Sequence, residues 1–289
     1  VYDLRSSNEM MQIILEKAAN DERIRAVTME GSRVNPNATK DEFCDFDICF
    51  IVTDVREFTR DKTWVRCFGE ILIVQYPEDW YGQPYDYESR ERFAYLIQFE
   101  DGNRIDLSLI DLTHLEKERD NREPRLVLLN KDHFDALQPV QDESAFFISK
   151  PSYQEYYNTC NEFRWLSIYV SKGLCREEIY YAKYAYDVLM MPMFIKMMKW
   201  NIAKDHRFQI TLGASSKYLK RYLSPQDMKR FQGIFPNGSY HDIWTKLFLF
   251  YDYFAELAES VAVALGFEFD QKETEAVRAF LWLRQEKYK

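Results

Sequence analysis

The feature that most constrains this chain is a change of hydrophobic period near Lys150-Pro151. Before it, apolar residues come in short clustered or alternating runs, the pattern of strands; after it they recur every third or fourth position, the pattern of helices. Strands are predicted at Arg25–Glu30, Phe46–Thr53, Ile71–Tyr76, Phe93–Glu100 and Arg104–Ile110, the last two joined by the turn Asp101-Gly102-Asn103. A helix is predicted from the capping-box spacing Ser6-Ser7-Asn8-Glu9, with Met10, Ile13, Ile14 and Ala18 on one face. Beyond residue 150 a second capping box, Ser152-Tyr153-Gln154-Glu155, leads into Phe163, Leu166 and Val170. Val188, Met191, Ile195, Met198 and Ile202 make another stripe, with Pro192 expected to kink it. Ser224-Pro225 marks a further helix start, and Ile243, Leu247, Phe250, Phe254, Leu257, Val261 and Leu265 form the longest stripe, read as bundle core. The expected class is α+β: a mixed sheet flanked by helices over residues 1–150, then a helical bundle over 151–289. A cleft between the two is the default place for a ligand.

The composition narrows the function. At 289 residues, with 46% hydrophobic and 29% charged, the chain can bury a full core. It has no apolar run of the roughly 18 residues a membrane span needs. No charged-then-apolar leader opens it, and Val1 in place of Met points to a few upstream residues. Five cysteines without a CxxC pair fit a reduced, cytoplasmic compartment, and four scattered histidines give no zinc motif. The net charge of -9 argues against a nucleic-acid partner, whose phosphates call for a basic track, and favours a cationic one.

Three short features carry the chemistry. Gly31-Ser32 follows a strand, where glycine permits close backbone approach and the amides with the Ser hydroxyl can cradle a phosphate; the same pair also serves as an ordinary turn. Asp45 and Asp47 flank Phe46 at the start of a strand, so they share a face about 6.6 Å apart along the chain. Such neighbours repel unless a cation lies between them, and hard carboxylate oxygens suit Mg²⁺ beside substrate phosphates; two solvated acids are the alternative. Asp106 alternates with Ile105, Leu107 and Leu109, so it faces away from the core with Arg104 and Ser108. If the two strands are neighbours, three carboxylates converge, an arrangement for two-metal phosphoryl or nucleotidyl transfer.

Gly-Ser, a spacer of about a dozen residues, Asp-x-Asp and a later strand Asp together resemble the polymerase-β-like nucleotidyltransferase signature. The blocks Glu30–Asn35, Asp45–Ile48, Phe99–Leu107, Cys160–Phe163, Tyr169–Leu174 and Lys220–Leu223 are similar to the aminoglycoside 6-adenylyltransferase (streptomycin adenylyltransferase) family, in the family's order. The resemblance implies an N-terminal nucleotidyltransferase domain that moves AMP from ATP to a streptomycin hydroxyl, the 6-hydroxyl, with two Mg²⁺ ions. By it, Asp45, Asp47 and Asp106 are catalytic and metal-binding, with Asp106 a ligand or the proton acceptor. Gly31 and Ser32 hold the triphosphate. Arg33, Lys172 and Lys217 are candidate phosphate contacts, each also readable as a surface or helix-end cation. Glu78, Asp79 and Trp80, in an acidic aromatic loop, and Glu162, in the helical half, are candidates for a cationic drug. Another small-molecule or protein hydroxyl as acceptor, and a non-catalytic nucleotide-binding module, are the alternatives.

Overall fold

The computed structural model describes residues 4–79 and 91–288. The chain divides into two units, Val1–Ala145 and Phe146–Lys289.

The first unit is built on six strands: β1 (Ile24–Met29), β2 (Phe46–Val52), β3 (Ile71–Gln75), β4 (Arg92–Phe99), β5 (Arg104–Asp111) and β6 (Leu126–Asn130). Their order is β3-β4-β5-β2-β1-β6, and among the described residues β2–β5 is the only neighbouring pair that is parallel. The edge strand β6 escapes sequence reading, because a short apolar run without alternation has no period to recognise. Helix α1 (Ser7–Asn20) starts on the predicted capping box and buries Met10, Ile14 and Ala18. These three join Phe46, Ile48, Phe50, Leu107 and Leu109 in one core layer. The opposite sheet face carries a smaller cluster containing Cys49, Ile51 and Ile110, packed with Leu115, Ala136 and Leu137. Strand alternation puts Asp47 with Cys49 and Ile51, and Asp106 with Ser108 and Ile110. The apolar cover therefore occupies the later part of both strands, and the two aspartates lie at the beginning.

The second unit is helical: α4 (Tyr153–Cys175), α5 (Ile179–Tyr184), α6 (Met191–Ala203), α7 (Pro225–Gly233), α8 (Tyr240–Leu265) and α9 (Gln271–Lys287). The first unit's short helices α2 (Gly31–Val34) and α3 (Val55–Thr59) precede them in the count. Ile243, Leu247, Phe250, Phe254, Leu257 and Val261 of α8 are buried as their spacing predicts. Phe163 of α4 stacks on Phe254 at 3.7 Å between ring centroids, and buried Tyr hydroxyls satisfy themselves on backbone carbonyls, as in Tyr156 to Ala258 at 3.0 Å. Burying each large apolar side chain is worth about 1.5–3 kcal/mol, so α8 is the principal source of cohesion here.

The stripe around Pro192 needs correction. Residues Ala185–Met190 form a π turn that passes without a break in helical dihedrals into α6, in whose first turn Pro192 sits, so the irregularity in the stripe lies just before the proline. The wider turn shifts the helical phase: Met190, Phe194, Met197, Met198 and Ile202 are buried, whereas Val188 is exposed.

Candidate active site

The site begins at the turn between β1 and β2. Gly31 adopts φ +69°, and a Cβ built on it would lie 1.8 Å from Asp47 Oδ2. Only glycine fits, both because the backbone is left-handed and because the carboxylate occupies the space. The Glu30 amide donates to the Asp47 carbonyl at 3.0 Å, and the Ser32 amide donates to the Asp47 carboxylate. The single helical turn α2 is held from behind. Lys40 Nζ donates to the carbonyls of Ser32 and of Asn35, the latter at 2.9 Å, and Asn35 and Asn37 donate to Glu143 at 3.0 and 2.7 Å.

Asp47 is register partner to Asp106 across the parallel β2–β5 pair. Burial raises the Asp47 carboxyl above the usual carboxylate range, and the charges of Asp106 and Asp45 push it the same way. Arg104 grips Asp106 with two hydrogen bonds, Nε to Oδ1 at 2.7 Å and Nη2 to Oδ2 at 2.9 Å. The same Nε lies 3.6 Å from Asp45 Oδ2. A cationic group thus already bridges two of the three carboxylates.

Arg33, a candidate phosphate contact, is engaged within the chain. Its guanidinium lies 3.6 Å over the Phe46 ring and donates to the carbonyls of Asp45 and Cys44 at 3.0 and 2.7 Å, and to Ser7 Oγ at 3.0 Å. These bonds brace the segment entering Asp45. Burial lowers its pKa, the cost of drawing the group under the turn.

Beside the aspartates opens a cavity of about 610 Å³. Glu30, Asp47, Glu78, Asp106, Glu118 and Glu123 line it with negative charge. Arg92, bonded to Ser108 Oγ at 2.8 Å, is the cation among its described lining residues. Glu30 is pushed above its ordinary value, first by burial and then by Glu118 and Glu123. Glu118 is held by Arg125 at 3.2 Å and Asn121 at 3.1 Å. Glu78, an expected site residue, does reach this cavity, where its carboxylate accepts from the Ala94 amide at 2.9 Å. Its neighbour Asp79 is ion-paired with Lys62 instead, and Trp80 lies outside the described residues.

The remaining expected residues belong to the second unit. Lys172 is exposed in the last turn of α4, and Lys217 is exposed with its ammonium 5.3 Å from the Tyr218 ring. Glu162 is exposed on α4.

Sequence reasoning passed over Glu30, Arg104, Glu118 and Glu123. Arg104 and Glu30 carried a signal, since one shares the Asp106 face of its strand and the other abuts Gly31. Glu118 and Glu123 carried none, because they arrive from the irregular segment that follows β5.

The donor set tests well against a hard divalent cation. Asp45, Asp47 and Asp106 offer only carboxylate oxygens, their mutual repulsion is expressed in Asp47, and a guanidinium already neutralises two of them. Among the described residues no three His, Cys, Asp or Glu side chains stand gathered as a ready-made cage. Nor is any described helix long and apolar enough to cross a membrane.

The family model described as streptomycin adenylyltransferase matches residues 4–283. The chain is 37% identical over 267 residues to the aminoglycoside 6-adenylyltransferase of Bacillus subtilis (strain 168), covering 92% of this chain and 93% of that one. It is 32% identical to the enzyme of the same name from Staphylococcus aureus, over 82% of this chain and 84% of the relative. The corresponding Campylobacter jejuni enzyme is 34% identical, at 92% and 91% coverage. A crystal structure of an aminoglycoside 6-adenyltransferase from Bacillus subtilis aligns over 98% of this chain and 99% of its own, with 33% identity and a TM-score of 0.49.

Proposed function

The chain belongs to the streptomycin adenylyltransferase family, and from that premise we propose that it transfers AMP from ATP to a hydroxyl of a cationic aminoglycoside, streptomycin at its 6-hydroxyl, inactivating the drug. The observation that carries the chemistry is the alignment of Asp47 with Asp106 across parallel strands, with the Gly31 turn closed onto Asp47.

The hydroxyl oxygen attacks the α-phosphorus as the bond from that phosphorus to the bridging oxygen breaks, and pyrophosphate leaves. Gly31 and Ser32 present the turn on which the triphosphate rests. Asp45, Asp47 and Asp106 would hold two Mg²⁺ ions, which stabilise negative charge on the attacking and leaving oxygens when bound. Asp106 completes that set and takes the hydroxyl proton. The acidic cavity supports a cationic acceptor, because Glu30, Glu78, Glu118 and Glu123 favour guanidinium or ammonium groups over a polyanion. Lys172 and Lys217 are proposed as phosphate contacts on the family resemblance alone. A protein of this kind works in the cytoplasm, where ATP is plentiful.

The test is ATP-dependent pyrophosphate release across a panel of aminoglycosides with Mg²⁺, with the product weighed by mass spectrometry. Streptomycin should gain one AMP, and Asp47→Asn should cut the rate by about 10² or more. Release with no aminoglycoside in the panel would refute the acceptor class; an Asp47→Asn variant as fast as the parent would refute the catalytic assignment.

A further inference from the structure

Arg104 has a position that structural bracing alone does not account for. It stands two residues before Asp106 on the same strand face, where it forks onto that carboxylate, yet its Nε also lies 3.6 Å from Asp45 Oδ2 on the segment entering β2. The guanidinium thus spans from β5 to the start of β2. It neutralises carboxylates that would otherwise confront one another beside half-buried Asp47. Its own side chain is 40% exposed, so it is free to swing on its stem without unpacking the core. The apolar core residues of β5, Ile105, Leu107 and Leu109, lie on the other face and are undisturbed by such a move.

We propose that Arg104 is the resident counter-ion of this carboxylate set, and that a divalent metal must displace it to reach Asp45 and Asp106. This rests on the metal-binding reading of the three aspartates. The consequence is an order of assembly. The free ion competes poorly with a covalently tethered cation, whereas an ion arriving with a triphosphate brings oxygens that complete its shell and an anion that can accept the displaced guanidinium. Arg104 thereby keeps the site from filling with metal in the absence of nucleotide. It is a positioning residue, acting through the carboxylates it holds.

The experiment measures Mg²⁺ binding to the nucleotide-free full chain by isothermal titration calorimetry at constant ionic strength. A unit positive charge about 5 Å from a divalent ion, screened nearly as in water, is worth roughly a factor of ten in affinity. Arg104→Gln should therefore bind Mg²⁺ about tenfold more tightly than the parent, while Arg104→Lys, which keeps the charge, should stay within about threefold of it. Equal or weaker binding by a folded Arg104→Gln would overturn the proposal. A second measurement needs no variant to fold: the Arg104 Nε–H resonance of the parent, followed by NMR, should shift as Mg²⁺ is added, and an unmoved resonance at saturation would equally overturn it. Asp47→Asn separates the two levels. Mg²⁺ binding of equal affinity in the parent and Arg104→Gln, abolished in each by Asp47→Asn, rejects the counter-ion while leaving the metal site standing. Mg²⁺ binding that ignores Asp47 in every protein rejects both.

Discussion

Replacing Gly31 by alanine is the most exacting perturbation available, because it strikes backbone and site at once. Two costs can be separated. Holding a non-glycine residue at φ +69° costs about 1–2 kcal/mol. The new methyl would also sit 1.8 Å from Asp47 Oδ2 and 2.5 Å from its Cγ, so the carboxylate or the turn must move, at about 1–3 kcal/mol more. A total near 2–5 kcal/mol follows, expressed locally because Glu30 and Ser32 also bond to Asp47. Hydrogen exchange at the β2 and β5 amides reads that loss directly, without assuming that two units unfold together. A displaced Asp47 should lower the adenylyl-transfer rate by about 10², the usual penalty for misplacing a reacting geometry by about an ångström. The double-mutant cycle with Asp47→Ala isolates the clash. In that background the backbone term remains, with only a close contact of 3.1 Å to the retained Cβ of residue 47, so Gly31→Ala should cost about 1–2 kcal/mol, leaving a coupling of about 1–3 kcal/mol. Additive effects, or a Gly31→Ala protein with parental exchange rates and activity, would refute the packing argument.

Two further predictions concern electrostatics and bracing. Glu30 is raised by burial and by Glu118 and Glu123, so in the folded chain it holds its proton more tightly than when unfolded. Its contribution favours folding at low pH and is lost as pH rises through the folded value; Glu30→Gln should therefore raise the melting temperature at neutral pH, with the gain vanishing below the ordinary carboxylate range. A Glu30→Gln gain independent of pH would contradict this. Arg33→Ala removes three donated hydrogen bonds and the stacking on Phe46, so the first unit should lose about 2 kcal/mol by the same exchange measurement. The Michaelis constant for ATP should change little; a large rise with unchanged exchange would return Arg33 to the phosphate.

Alternation and spacing carried the first unit a long way. Ile105, Leu107 and Leu109 place Asp106 on the polar face from sequence alone, and Phe46 and Ile48 do the same for Asp47. Capping boxes at Ser6 and Ser152 mark helix starts where the structure has them. These are local signals, fixed by side-chain direction and by backbone groups a few residues away. Pro192 shows their limit, since a π turn just before it rephases the buried face.

What the tertiary structure decided is which distant charges meet. That β2 and β5 lie side by side and parallel, so that Asp47 faces Asp106, depends on a strand pairing no local pattern encodes. The same holds for Arg33, whose donors are taken by Ser7, Cys44 and Asp45, and for Arg104, which spans two carboxylates. Glu118 and Glu123 join Glu30 only because the chain after β5 folds back over the sheet. Sequence determines residue chemistry and the face on which each residue stands, because those follow from neighbours along the chain. Coulombic partnership falls off with distance in space, so it belongs to the fold.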